Sequence, residues 1–277
     1  GLLLSAGLSS SSRAEVSSSC DPMSVLSQAD IGNIRNMLLG VDAEPVYDVT
    51  FFLHAVCYYA ILRVGCEYLF PGRIRGYTKQ QYAVTLFHQS FVLPICAMAW
   101  GLHLMDDAPA LIYLLTGAYF MSDSVMNYTP VAGIVTNMAG TSSRIVGDKQ
   151  RIGPDFSWSV HAHHVFTILL CALGPNLGPK AVAEGTACIL LGEAGSLWIT
   201  ITLLAPHEIN YRIRFWSFML SRMLGLPLAL DIARQIEYFP VQVVWVFLCI
   251  GLFADNFRTL TRMAETRQEA VHGRWPL

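Results

Sequence analysis

Charge is scarce in this chain. Of 277 residues, 18 are Lys or Arg and 20 are Asp or Glu, 14% in all, against 53% hydrophobic residues and a mean hydropathy of +0.44. A soluble domain of this length needs more charge to cover its surface, so that class is excluded. The net charge of −2 offers no excess of basic groups for a phosphate backbone, and no nucleic-acid partner is expected. Lysine is rarer still. Lys79, Lys149 and Lys180 all lie in polar stretches or at the edge of an apolar one, which removes the lysine that a retinal-binding seven-helix protein requires. Cysteine pairs of the CxxC kind are also missing. The seven cysteines (Cys20, Cys57, Cys66, Cys96, Cys171, Cys188 and Cys249) sit mostly inside apolar runs, as small core residues do, and point to neither a disulfide framework nor a zinc site. No internal repeat or second domain is visible.

What the chain does have is long apolar runs. A helix needs about 20 such residues to cross a hydrocarbon core, and seven segments approach that length: 47–69, 82–104, 108–128, 157–173, 181–205, 215–232 and 240–260. The first is weakened by Arg63 and Glu67 near one end. The sixth is short, and Pro227 is placed to kink it. Connections are short except over 129–156, where Pro130, Gly133, Asn137, Gly140, Ser142 and Ser143 mark a loop. The expected layout is an N-terminal tail over 1–46, a transmembrane domain over 47–260 and a C-terminal tail over 261–277. Within the first tail, Ser24–Leu39 suits a short amphipathic helix lying at the interface.

Seven spans sort the basic residues unevenly. One side receives Arg73, Arg75, Lys79, Arg144, Lys149, Arg151, Arg212, Arg214, Arg258, Arg262, Arg267 and Arg274, while the other holds Arg13, Arg35, Lys180 and Arg234. The positive-inside rule then places the C-terminus in the cytosol, or in the matrix or stroma of an organelle. The Ser-rich stretch over 1–20 starts at Gly1 and reads either as a polar tail or as the remnant of a targeting segment. On the second reading the chain belongs to an organellar inner membrane, mitochondrial or plastid. The endoplasmic reticulum is the alternative.

Against this apolar background the polar residues inside the runs stand out, because each is costly in hydrocarbon unless it finds a partner, water or a ligand. The second segment carries His88 and Gln89. The third carries Thr116, Tyr119, Ser122, Asp123 and Asn127, at steps that put most of them on one face. The fourth opens with His161, His163 and His164, with His163 pointing the same way as Thr167. Glu193 lies near the middle of the fifth, and Arg222 lies in the sixth. Two readings fit this set. A Glu193–Arg222 ion pair fixes helix register and nothing more, or the groups converge on a pocket for a lipid headgroup or reacting carbonyl. In that pocket His163 or His164 acts as base or nucleophile and Asp123 orients it, while His88, Tyr119, Thr167, Glu193 and Arg222 hold the ligand. One histidine cluster is too few for a di-iron site, and nothing beyond His88 and the His163/His164 pair suggests haem, so no metal or cofactor is expected.

Five fragments, in order along the chain, carry a family resemblance. They are Tyr82–Val92 (YAVTLFHQSFV), Gly117–Val125 (GAYFMSDSV), His163–Leu170 (HHVFTILL, which fits an HHxxTxxL pattern), Glu193 in LLGEAGSLW, and Phe218–Leu224 (FMLSRML). The set resembles the TLC-domain family, the membrane fold of ceramide synthases and of the translocating-chain-associated membrane protein. The resemblance covers about 47–265. It implies an all-α integral membrane fold of seven transmembrane helices, six of them around an interior cavity that receives a lipid acyl chain. It also implies that His163 and His164 correspond to the histidine pair of ceramide synthases. The chain lacks the HDxxD-type stretch of those enzymes and is more similar to the shorter TLC-domain proteins. Two functions follow as expectations. One is binding of a lipid or acyl chain in the bundle, with acyl transfer or hydrolysis as its catalytic form. The other is a non-catalytic accessory subunit of a multi-subunit organellar membrane complex, with membrane lipids and other membrane subunits as partners.

Overall fold

The computed structural model describes residues 49–74, 77–128 and 158–271. The expectations for the N-terminal tail, its interfacial helix and the 129–156 loop lie outside them. Among the described residues the chain is helical apart from one two-stranded ribbon. The helices are α1 (Val49–Leu69), α2 (Lys79–Gly101), α3 (Ala108–Tyr128), α4 (Trp158–Leu173), α5 (Pro179–Leu204), α6 (Glu208–Gln235) and α7 (Phe239–Val271). Five of these, α1, α2, α5, α6 and α7, are long and apolar enough to cross a membrane. The protein is therefore a membrane-embedded, multi-pass helical chain. Helices α3 and α4 coincide with the third and fourth expected segments but do not share that combination of length and apolarity. Two further boundaries differ from the sequence reading. Helix α6 begins at Glu208 and continues for 28 residues with Pro227 inside it, and α7 continues past residue 260 to Val271.

Local chemistry explains the ends that bear on the site. After α1 the chain turns at Gly72, whose φ of +106° favours glycine. It then pairs Arg73–Ile74 (β1) with Tyr77–Thr78 (β2) as an antiparallel ribbon. Thr78 caps α2 reciprocally: its hydroxyl accepts from the Gln81 amide, and its own amide donates to the Gln81 side chain. Within α2, residues His88–Val92 form a π turn. The two consecutive side chains that open this turn, His88 and Gln89, are both buried.

Helices α2, α3, α4, α7, α6 and α5 pack in that cyclic order, each against the next, and α5 closes the ring on α2. Helix α1 lies outside the ring against α2 and α3. The tightest seam joins α5 and α6, where a Cβ at Gly195 would run into Ser221 and Arg222. Near the α6–α7 turn the ring is filled by Ala181, Ile232, Ala233, Ile236, Val241 and Trp245. A second cluster, Ala55, Tyr59, Val84, Leu114, Ala118, Tyr119 and Phe120, glues α1 to α2 and α3. The outward faces carry large apolar side chains, among them Phe51 and Ile61 on α1, Trp216 and Leu220 on α6, and Phe247 and Phe257 on α7. Hydrocarbon, not water, suits such a surface.

Candidate functional site

Among the described residues, two cavities stand out inside the ring. The larger, about 410 Å³, is polar and reaches the end of the bundle that carries the ribbon. Its lining comes from six helices, α2 to α7, and includes Gln89, Asp123, His163, His164, Glu193, Arg214, Arg222 and Asp255. The smaller, about 130 Å³, lies on the other side and is lined chiefly by Tyr113, Leu170, Cys171, Ile189, Ile232, Trp245 and neighbouring small residues. His163, Glu193, Ser196, Arg222 and Asn256 line both, so a polar layer separates the polar chamber from the apolar slot.

The sequence-expected residues are placed as follows. Asp123 bonds first to a residue outside that set: Oδ1 accepts from Arg63 of α1 at 2.7 Å and from Asn127 at 2.9 Å. Arg63 is fully buried. It also donates to Ser122 at 3.3 Å and to Gln80 at 3.4 Å, and Gln80 in turn bonds Asn127. The other carboxylate oxygen lies 3.7 Å from His164 Nε2, beyond hydrogen-bond range, while His164 Nδ1 is 3.0 Å from the Ser124 hydroxyl. His163 points elsewhere, with Nδ1 3.8 Å from Asp255 Oδ2 on α7. The two imidazoles are 6.1 Å apart between ring centres, tilted at 60°, and both pack edge-on to Phe120. Each histidine thus faces its own carboxylate, and Asp123 does not hold both.

His88 lies behind the site. Its Nδ1 is 2.6 Å from the Tyr59 hydroxyl, its ring stacks on Tyr119 at 4.4 Å, and it lines neither cavity. Tyr119 lines the chamber and shares a 2.7 Å hydrogen bond with Thr85. Thr167 lines the slot, where its hydroxyl donates to the His163 carbonyl at 2.8 Å. The expected Glu193–Arg222 ion pair does not form. Glu193 accepts from Gln89 at 2.7 Å. Arg222 donates to the Gly192 carbonyl (2.8 Å), to the Ser221 and Ser196 hydroxyls (2.9 Å each) and to Asn256 (3.4 Å), and its guanidinium stacks over Phe218 at 3.8 Å. The physical reason is geometric. The carbonyl of Gly192 and the serine hydroxyls lie along the close α5–α6 seam, within easier reach of Arg222 than the carboxylate aimed at α2.

Spacing within single helices did not single out Arg63, Gln80, Asp255, Asn256 or Arg214 as site residues. Arg63 carried a signal, since a guanidinium in a spanning segment needs a carboxylate. Arg214 falls just before the sixth apolar segment at 215–232 and so reads as a charge outside it, whereas α6 begins at Glu208. Among the described residues no group of three His, Cys, Asp or Glu side chains is disposed to hold a metal ion. Compared with family models, with curated proteins and with solved structures, the chain matches none, and the site rests on its own geometry.

Proposed function

We propose that this protein binds a membrane lipid inside its ring, with the headgroup in the polar chamber and one acyl chain in the apolar slot. The observation that carries this reading is the way the slot is kept open. Gly192 on α5 and Gly225 on α6 both line it, and a Cβ added at either would meet nothing within 4 Å. A glycine inside a helix costs about 1 kcal/mol relative to alanine. No close helix approach requires these two, unlike Gly195. The empty volume is what they preserve. Thr116 adds an independent sign: its hydroxyl is fully buried at the slot wall and has no hydrogen-bond partner. From Arg222 to Ile232 the slot runs along ten residues of α6, about 15 Å at helical rise, or half of the ~30 Å hydrocarbon core. That is the depth of one leaflet.

This arrangement is what membership of the TLC-domain family would require, and the polar chamber then opens toward the side richer in Arg and Lys, the cytosol or matrix. The geometry favours binding over turnover. Ser124 orients His164 at 3.0 Å, but each imidazole stays 3.7–3.8 Å from the carboxylate it faces, so neither of these carboxylate–histidine pairs is hydrogen-bonded for general-base work. The accessory-subunit role uses the same pocket, with a single lipid fixed in it.

Native mass spectrometry of the protein extracted in mild detergent tests the proposal. We expect a retained lipid in the natural chain and its loss in Gly225→Leu, which plugs the slot while keeping the fold. An empty natural chain, or a Gly225→Leu variant that keeps its lipid, rules the reading out. Release of a cleaved or transferred acyl group that stops in His164→Asn would move the protein from binder to enzyme.

A further inference from the structure

The chamber holds its guanidiniums and its carboxylates in different ways. Three carboxylates line it, and each faces a group of its own: Asp123 faces Arg63, Glu193 accepts from Gln89, and Asp255 faces His163. Two guanidiniums line it as well, and neither has a carboxylate within 4 Å among the described residues. Arg222 spends its hydrogens on neutral oxygens. Arg214 is half-buried, its side chain makes no hydrogen bond or ion pair to any described residue, and its Nε is shielded from solvent with no partner. Arg214 and Arg222 are eight residues apart on α6 and both face the chamber, about 12 Å apart along the axis. Around Arg214, at the ribbon end, the lining is Tyr77, Gln81, Thr200 and Thr259, which are neutral hydrogen-bonding groups.

A half-buried guanidinium without a counter-charge is costly, and its planar fork matches a phosphate better than any other common membrane group. We infer that Arg214 binds the phosphate of the lipid headgroup at the chamber mouth, so that the natural ligand is a phosphate-bearing lipid and not a neutral one. Arg222, two turns deeper, then faces the oxygens that join head to chain. This inference rests on the lipid-binding reading above and narrows it.

The test compares three probes on the full chain in detergent, by native mass spectrometry and by thermal shift: phosphatidic acid, diacylglycerol of the same acyl composition, and inorganic phosphate. Phosphatidic acid is expected to bind at least about tenfold tighter than diacylglycerol, the value of one charge-assisted hydrogen bond, and to raise the unfolding temperature. Arg214→Gln should abolish that preference, Arg214→Lys should keep part of it, and Arg258→Gln, an exposed arginine on α7, should leave it intact. Equal binding of the two lipids, or a preference that survives Arg214→Gln in a variant that unfolds at the natural temperature, overturns the phosphate assignment while leaving lipid binding standing. Failure of both lipids to bind removes the lipid reading itself. Inorganic phosphate that binds as tightly as phosphatidic acid shows a free anion site and overturns the headgroup assignment.

Discussion

Arg63 and Arg222 are both arginines buried within an apolar bundle, and they are satisfied in opposite ways. Arg63 is sealed between α1, α2 and α3 with a carboxylate at 2.7 Å, and its charge is cancelled where it sits. Arg222 lies on the wall between two cavities, held by a carbonyl, two hydroxyls and an amide, and its charge remains available to whatever enters. The first arrangement belongs to a clamp, which fastens α1 to the outside of the ring. The second belongs to a site. In a medium that punishes every bare charge, the kind of partner a buried arginine keeps tells structural from receptive polarity.

The largest effect should come from breaking the clamp. Arg63→Met strands the Asp123 carboxylate and is expected to destabilise the protein by about 3–5 kcal/mol, seen as a large fall in the thermal midpoint in detergent. Adding Asp123→Leu to that variant should restore most of the loss, since removing both charges of a buried pair costs little. Arg222→Met should cost less, about 1–3 kcal/mol, because it breaks no contact with a carboxylate and the abandoned oxygens belong to residues lining the slot or the chamber. If the two single variants unfold alike, the contrast between clamp and site is lost. Gly225→Leu should hold or raise stability by up to about 1 kcal/mol, since it trades an unpacked glycine for apolar contact, provided the protein is measured free of lipid. The smallest change is expected for Glu193→Gln, within about 0.5 kcal/mol. The Gln89 amide can donate to the new amide oxygen as it does to the carboxylate, and the weaker bond is offset by no longer burying a charge, so circular dichroism melting should barely separate this variant from the natural chain.

The helices were legible because the hydrocarbon thickness dictates a run length, and the starts of α2, α3 and α5 fall within three residues of the segments read from hydropathy. The convergence of Asp123, His163, His164, Glu193 and Arg222 on one chamber was also legible, since each is intolerable facing lipid. Partner choice was not. Pairing of Asp123 with Arg63 instead of a histidine, and of Glu193 with Gln89 instead of Arg222, depends on which helices adjoin, and helical spacing within one segment carries no such information. Gln89 lies about 100° around the helix from His88, so periodicity within the segment does not reveal that both are buried. Arg214 escaped for a different reason. Two charged residues, Glu208 and Arg212, bridge one turn at the start of α6 with a 2.9 Å ion pair, and that polar opening made helix look like loop.

The position of α1 has a consequence for biogenesis. Chains are inserted from the N-terminal side, so the membrane receives this helix, guanidinium included, before the aspartate that neutralises it has been made. Until α3 arrives, the carboxylate nearest along the chain is Glu67, one turn away on α1 itself, and the 2.7 Å contact with Asp123 does not yet exist. The clamp that seats α1 against the ring therefore closes only once the third helix is in place.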